Sequence, residues 1–184
     1  MVTQDRLRSC IQQGGLIAYP TEAMYGLGCS PFDSAAVDTL ARLKERPSHK
    51  RFLLIASSFS QILPLIQPLT EEQHLRVCAC WPGHITWVFQ ASDTAPAWLV
   101  TEKNTIAIRV TAHPIARQLC EDLQHPLVST SANKAGGTPC TSSKEVAALF
   151  GASLDLIIEG PIGNQKKPSP LYDAVTGKRV PRGS

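Results

Sequence analysis

The order of segments along this chain predicts an α/β protein: an open, twisted mixed sheet with flanking helices. Three observations carry that expectation. Stretches with a helical apolar period alternate with short β-branched runs from end to end. Long and short connections are mixed, which suits a sheet with both parallel and antiparallel pairs better than a regular doubly wound one. At 184 residues with 43% hydrophobic residues, the chain fits a single domain over 1–184 with a substantial core.

Each element has its own signal. Leu7, Cys10 and Ile11 make a narrow apolar stripe that predicts a helix over Thr3–Gln13, and Leu16–Tyr19 reads as a strand. Asp33 or Ser34 caps a helix to Lys44, with Val37, Leu40, Ala41 and Leu43 inward. Phe52–Ala56 is the next strand. Thr70 and Gln73 form a capping-box pattern that opens a helix to Cys78, which Trp81-Pro82-Gly83 follows before the strand Ile85–Gln90. Thr105–Val110 alternates as a strand. Pro114 at a first helical position opens a helix to Leu123, and Leu127–Thr130 is a strand. Ser142–Phe150 is a helix whose Glu145 is expected to close a capping box and which Gly151 ends. Leu154–Glu159 and Leu171–Val175 complete the strands, and Gly160–Pro170 is expected to be a mobile lid.

Composition narrows the function classes. The net charge is only +3, but Arg42, Lys44, Arg46, Lys50 and Arg51 crowd one helix end and loop, which suits a small anionic partner better than a long nucleic-acid groove. Neither a signal peptide nor an apolar run of membrane-spanning length is apparent, so a soluble cytoplasmic protein is expected. The six cysteines follow no zinc spacing and are expected to be reduced. His49, His74, His84, His113 and His125 are scattered, and none pairs with an obvious nucleophile. Val180-Pro181-Arg182-Gly183-Ser184 partly resembles a protease-site remnant of an expression vector, so Arg182 is given no role.

Three segments carry candidate chemistry. In Tyr19-Pro20-Thr21-Glu22-Ala23-Met24-Tyr25-Gly26-Leu27-Gly28, a strand runs into Pro20, so Thr21 and Glu22 emerge at a sheet end; the glycines serve a tight turn or a close ligand approach. Lys44-Glu45-Arg46-Pro47 offers two anion contacts, a point charge from Lys44 and a planar fork from Arg46, or simply a solvated helix end. Ser129-Thr130-Ser131-Ala132-Asn133 presents more hydroxyl and amide groups than a turn requires, and these suit phosphate oxygens or water around Mg²⁺. Arg109 fits either an additional cation or a buried ion pair. With no P-loop and no nucleophile–base dyad, the pattern suits nucleotide chemistry driven by positioning and charge.

Taken in order, Pro20-Thr21-Glu22 with Tyr25-Gly26-Leu27, Leu43-Lys44-x-Arg46-Pro47, Trp81-Pro82-Gly83-x-Ile85-Thr86, Ile108-Arg109-Val110-x-x-His113-Pro114, Ser129 to Asn133, and Pro168-Ser169 to Asp173 resemble the motifs of the YrdC/Sua5 family, in its short bacterial form. The resemblance spans roughly residues 15–175. It implies an open twisted α/β sheet around a positively charged concave cavity. It also implies a nucleotidyltransferase, threonylcarbamoyl-AMP synthase, which joins L-threonine, bicarbonate and ATP with Mg²⁺ into threonylcarbamoyl-adenylate and pyrophosphate. The product feeds proteins that modify tRNA beside the anticodon, and tRNA or double-stranded RNA binding is a further implication. Carried over by residue, Thr21, Tyr25 and Arg46 would hold threonine. Lys44, Ser131 and Asn133 would hold phosphates and metal, with Ser129 and Arg109 close by; no protein-only metal site is implied. Arg51, His84, Pro170 and Ile55 depart from the family pattern, His84 replacing the second proline of W-P-G-P.

Two rival readings are a non-catalytic RNA-binding module using the same cavity and an adenylate-forming relative that uses carbamoyl phosphate. With 6% aromatics and no aromatic–basic interleaving, the chain offers little stacking platform for the first.

Overall fold

The computed structural model describes residues 2–47 and 50–181; His49 and Arg182 lie outside the described residues. In chain order the elements are α1 (Gln4–Gln12), β1 (Ile17–Pro20), β2 (Tyr25–Gly28), α2 (Ser34–Leu43), β3 (Leu53–Ala56), α3 (Glu71–Cys78), β4 (Thr86–Gln90) and β5 (Thr105–Val110). They continue with α4 (Pro114–Leu123), β6 (Leu127–Ser131), α5 (Ser143–Phe150), β7 (Leu156–Ile157), β8 (Leu171–Asp173) and β9 (Arg179–Val180). The strands form one sheet in the order β7-β1-β2-β6-β3-β5-β4-β8-β9. Parallel pairs (β1 with β7, β3 with β5, β4 with β8) are interleaved with antiparallel ones, so the sheet is mixed as the connections implied.

Strand alternation feeds two cores. Ile17 and Tyr19 of β1 and Ile55 of β3 face Leu7 and Ile11 of α1 and Leu119 and Cys120 of α4. Ala18, Leu27 and Leu54 point to the other face, where Val37 and Leu40 of α2, Val77 of α3, and Val146 and Phe150 of α5 cover them. Each fully buried aliphatic side chain contributes about 2 kcal/mol by removal from water. Helices therefore lie on both faces, and α1 with α4 and α2 with α5 are held by the same apolar periodicity that the sequence displays.

β6 is the strand that matters most for placement. Its first half pairs with β3 (Leu53 opposite Ser129, Ile55 opposite Leu127), and its second half pairs with β2 (Gly26 opposite Ser131, Leu27 opposite Thr130). Ser129, Thr130 and Ser131 thus lie where one neighbour gives way to the other.

Several expectations shift. Tyr25–Gly28 is a strand rather than a turn, antiparallel to β1 on one side and β6 on the other. The glycines answer close packing: a Cβ on Gly28 would stand 2.3 Å from the Val128 carbonyl oxygen. The strand expected over Leu154–Glu159 shrinks to two residues, that over Leu171–Val175 stops at Asp173, and Val180 is paired with Leu171. Thr70 and Gln73 do form the reciprocal box. Glu145 does not: its carboxylate accepts from the Thr141 amide and hydroxyl, one residue before the Ser142 cap.

The 160–170 segment is a fastened strap, not a free lid. Tyr25 Oη donates to the Gly160 carbonyl (2.7 Å) and accepts from its amide (3.2 Å). The Gly163 amide donates to Thr21 O and that of Gln165 to Glu22 O, both at 2.9 Å. Near its end, the Ser169 hydroxyl lies 2.7 Å from that of Thr86 in a buried contact.

Candidate active site

The C-terminus of α2 sets the first half of the site. Lys44 is the cap residue, and Glu45 follows in the left-handed conformation (φ 49°). The Arg46 amide then closes back onto Ala41 O (2.9 Å) and that of Glu45 onto Arg42 O (3.0 Å), the Schellman arrangement. This turn sends the two cations different ways. Lys44, only 7% exposed, inserts toward β6, where Nζ donates to Ser131 O (2.8 Å), to Asn133 Oδ1 (3.0 Å) and to the Asn133 carbonyl. Ser131 Oγ donates to the same Asn133 Oδ1 (2.6 Å), so Lys44, Ser131 and Asn133 form one cluster. Burial, reinforced by the neighbouring Arg46 charge, lowers the Lys44 ammonium from its ordinary 10.5 to about 8.

Arg46 stays by the loop. Its Nε donates to Lys50 O (2.9 Å), Nη2 to Arg51 O (2.6 Å), and its guanidinium lies 4.6 Å from the Phe52 ring centroid. Burial lowers its pKa as well.

A cavity of about 160 Å³ opens between these segments. Thr21, Tyr25, Arg46, Arg109, Ser129 and Ser131 all reach its lining, together with Thr130, His84 and Ser169. Lys44 and Asn133 join it through Ser131. Of the two segments singled out from the sequence, Arg46 and Ser129–Ser131 line this hollow, while Lys44 and Asn133 do not line it and touch Ser131 from behind. A larger cavity of about 340 Å³ lies on the far side of Arg46, against Arg42, Lys50, Arg51, Phe52 and Trp98.

Arg109 forms the buried ion pair and also reaches the cavity lining. It is buried at 5% exposure and its Nη1 lies 3.0 Å from Glu22 Oε2. Its Nε is buried and has no hydrogen-bond partner among the described residues, while the side chain as a whole lines the cavity. The Glu22 carboxylate is buried, which pushes its pKa up, but Arg109, the Thr111 hydroxyl (2.7 Å) and the Ala112 amide (3.2 Å) outweigh burial and bring it below the usual value. Tyr25 and Thr21 are engaged internally: Thr21 Oγ1 donates to Met24 O (2.7 Å), and Tyr25 holds Gly160. No group of three or more His, Cys, Asp or Glu side chains poised to hold a metal occurs among the described residues.

Glu22, His84, Thr130 and Ser169 were not singled out as site residues. Glu22 stood in a flagged motif, and its burial beside Arg109 was the missing fact. Comparison with known proteins then decides the family: the Sua5/YciO/YrdC model, described as "Telomere recombination", matches residues 9–182. The chain belongs to this family. A threonylcarbamoyl-AMP synthase of Coxiella burnetii (strain RSA 493) is 48% identical over 169 residues, 92% of this chain and 91% of that protein. One from Yersinia pestis (strain Pestoides F) is 44% identical over 184 residues, 99% and 96% of the two chains. Among solved structures, P. abyssi Sua5 complexed with L-threonine superposes with a TM-score of 0.85 at 31% identity. It is matched by 94% of this chain, which spans 52% of that longer Sua5. E. coli YciO gives 0.84 at 28% identity, over 98% of this chain and 89% of its own. No helix among the described residues is long and apolar enough to cross a membrane.

Proposed function

We propose that this chain is a threonylcarbamoyl-AMP synthase, an enzyme that makes an adenylate from ATP and L-threonine with release of pyrophosphate. The observation that carries this reading is one small cavity lined by both the Arg46 fork and Ser129–Ser131, with Lys44 and Asn133 bonded to Ser131 behind its wall, within a family whose matched relatives are named for that activity. The whole chain acts as one unit in the cytoplasm, and its cavity is positively charged.

In this reading the threonine carboxylate lies against Arg46, which offers parallel N–H donors once its loop contacts open, and Thr21 and Tyr25 shape the pocket for the rest of the amino acid. The triphosphate lies along Lys44, Ser131 and Asn133, once Lys44 gives up one of its three protein acceptors, with Ser129 and the Arg109 guanidinium alongside. Bicarbonate supplies the carbamoyl carbon: the threonine amine condenses with it to a carbamate with loss of water, and the carbamate oxygen bonds to the α-phosphorus as the α–β phosphoanhydride bond breaks and pyrophosphate leaves. Fixed cations neutralise charge that grows on the phosphate oxygens, the term that dominates such transfers. The neutral oxygen donors here, with no metal-holding carboxylate cluster among the described residues, fit a Mg²⁺ that arrives on ATP, and when bound that ion would offset phosphate charge. The adenylate passes to tRNA threonylcarbamoyl-transfer proteins, and an RNA contact near the cavity accompanies this transfer.

The test is pyrophosphate release with each substrate omitted in turn. Release should require threonine, bicarbonate and ATP together. Release that ignores threonine, or that carbamoyl phosphate supports in place of bicarbonate, refutes the assignment.

A further inference from the structure

His84 follows Trp81-Pro82-Gly83, and its ring makes two polar contacts. Nδ1 lies 3.2 Å from Arg109 Nη1, and Nε2 lies 2.8 Å from the Lys167 carbonyl oxygen. A guanidinium only donates, so Nδ1 is the acceptor and carries no hydrogen. The ring hydrogen then sits on Nε2 and is donated to Lys167 O. Through Arg109 the contact continues to Glu22, so one line runs from the turn after β1, across β5, to the strap. The strap is tied on both sides of this point, at Gln165 and at Ser169, and His84 holds the stretch between.

We infer that His84 is a positioning residue that fastens the 160–170 strap to Arg109 and thereby sets how firmly the cavity holds its ligand. The ligand part rests on the reading of the site as an ATP site; the fastening does not.

Trypsin separates the two. Lys166 and Lys167 are exposed on the strap, and Pro168 protects the bond after Lys167, so cleavage after Lys166 reports opening of this stretch. Loss of one hydrogen bond raises the open population, and with it the cleavage rate, by about fivefold. His84→Ala should show that increase at Lys166 with no change at other sites. His84→Asn keeps an acceptor near Nδ1 but cannot reach the strap, and should match His84→Ala. His84→Gln places an amide donor near Nε2 and should return cleavage to within about twofold of the native rate. In steady-state assays, His84→Ala should raise KM for ATP severalfold while changing kcat less. Native cleavage rates in both the Ala and Asn variants, or equal acceleration at every site, overturn the fastening. Faster cleavage with an unaltered KM overturns the link to the ligand. A chain that releases no pyrophosphate under any condition refutes the synthase reading and leaves the trypsin outcome to stand or fall by itself.

Discussion

Raising the pH past 8 should loosen the hold of this site on ATP, because Lys44 loses its charge there. The ammonium is buried and sits beside Arg46, and its pKa falls from 10.5 to about 8. At pH 9 about one Lys44 in eleven is still charged, and affinity should fall about tenfold for each further pH unit. Bound phosphates favour the charged form, so ATP binding at pH 8.5 should draw in about three-quarters of a proton per site. Titration calorimetry from pH 6.5 to 10, in buffers of differing ionisation enthalpy, measures both quantities. A Lys44→Met variant should bind weakly and without this pH dependence. Stability moves the other way. Between pH 8 and 10.5 the unfolded chain binds the proton that folded Lys44 has released, so the folded state gains stability as pH rises through that window, by at most about 3 kcal/mol. An ATP affinity that stays level from pH 7 to 9.5 in the native chain refutes the placement of the phosphates at Lys44.

Other substitutions test the frame of the site. Glu22→Gln leaves the buried Arg109 guanidinium without its counter-charge and should cost about 3–5 kcal/mol in urea denaturation; a loss below 1 kcal/mol means that the pair is solvated. Because the Glu22 carboxyl is held below its ordinary pKa, its contribution is present above pH 4.5 and fades as pH falls through the folded value, a slope that the variant should lack. Tyr25→Phe removes both hydrogen bonds to Gly160 and should cost about 1–3 kcal/mol, read in the same titration, while a neutral result places water at that carbonyl. Gly28→Ala drives a Cβ against the Val128 carbonyl and the Tyr19 ring and should cost about 1–3 kcal/mol; an unchanged melting temperature argues against the close approach of β2 and β6.

What the sequence disclosed, and what it withheld, divides along side chain and backbone. β5 and α4 were legible to the residue, since Thr105–Val110 alternates and Pro114, ahead of a helical apolar period, suits a first helical position. β2 was not, because its two glycines supply no side chain to mark a strand; it exists through pairing on both sides. β7 and β9 are two residues long and owe their form to β1 and β8. In the site, the residue types at 44, 46, 131 and 133 could be read, yet Lys44 reaches the carbonyls of Ser131 and Asn133 as well as a side chain, and backbone carbonyls have no signature. The strap is the extreme case. Gly160, Pro161, Gly163, Gln165, Lys167 and Pro170 are all held by their main-chain atoms, by partners as far back as Thr21 and Glu22. A Gly- and Pro-rich stretch therefore looks like a lid from its own residues, while it is fastened by the side chains of Tyr25, His84, Thr86 and His113 and by the main chain at Thr21 and Glu22. That asymmetry makes the strap sensitive to side-chain changes at Tyr25, His84, Thr86 and His113, while Thr21 and Glu22 hold it through main-chain carbonyls, so the fastening belongs to the scaffold rather than to the loop.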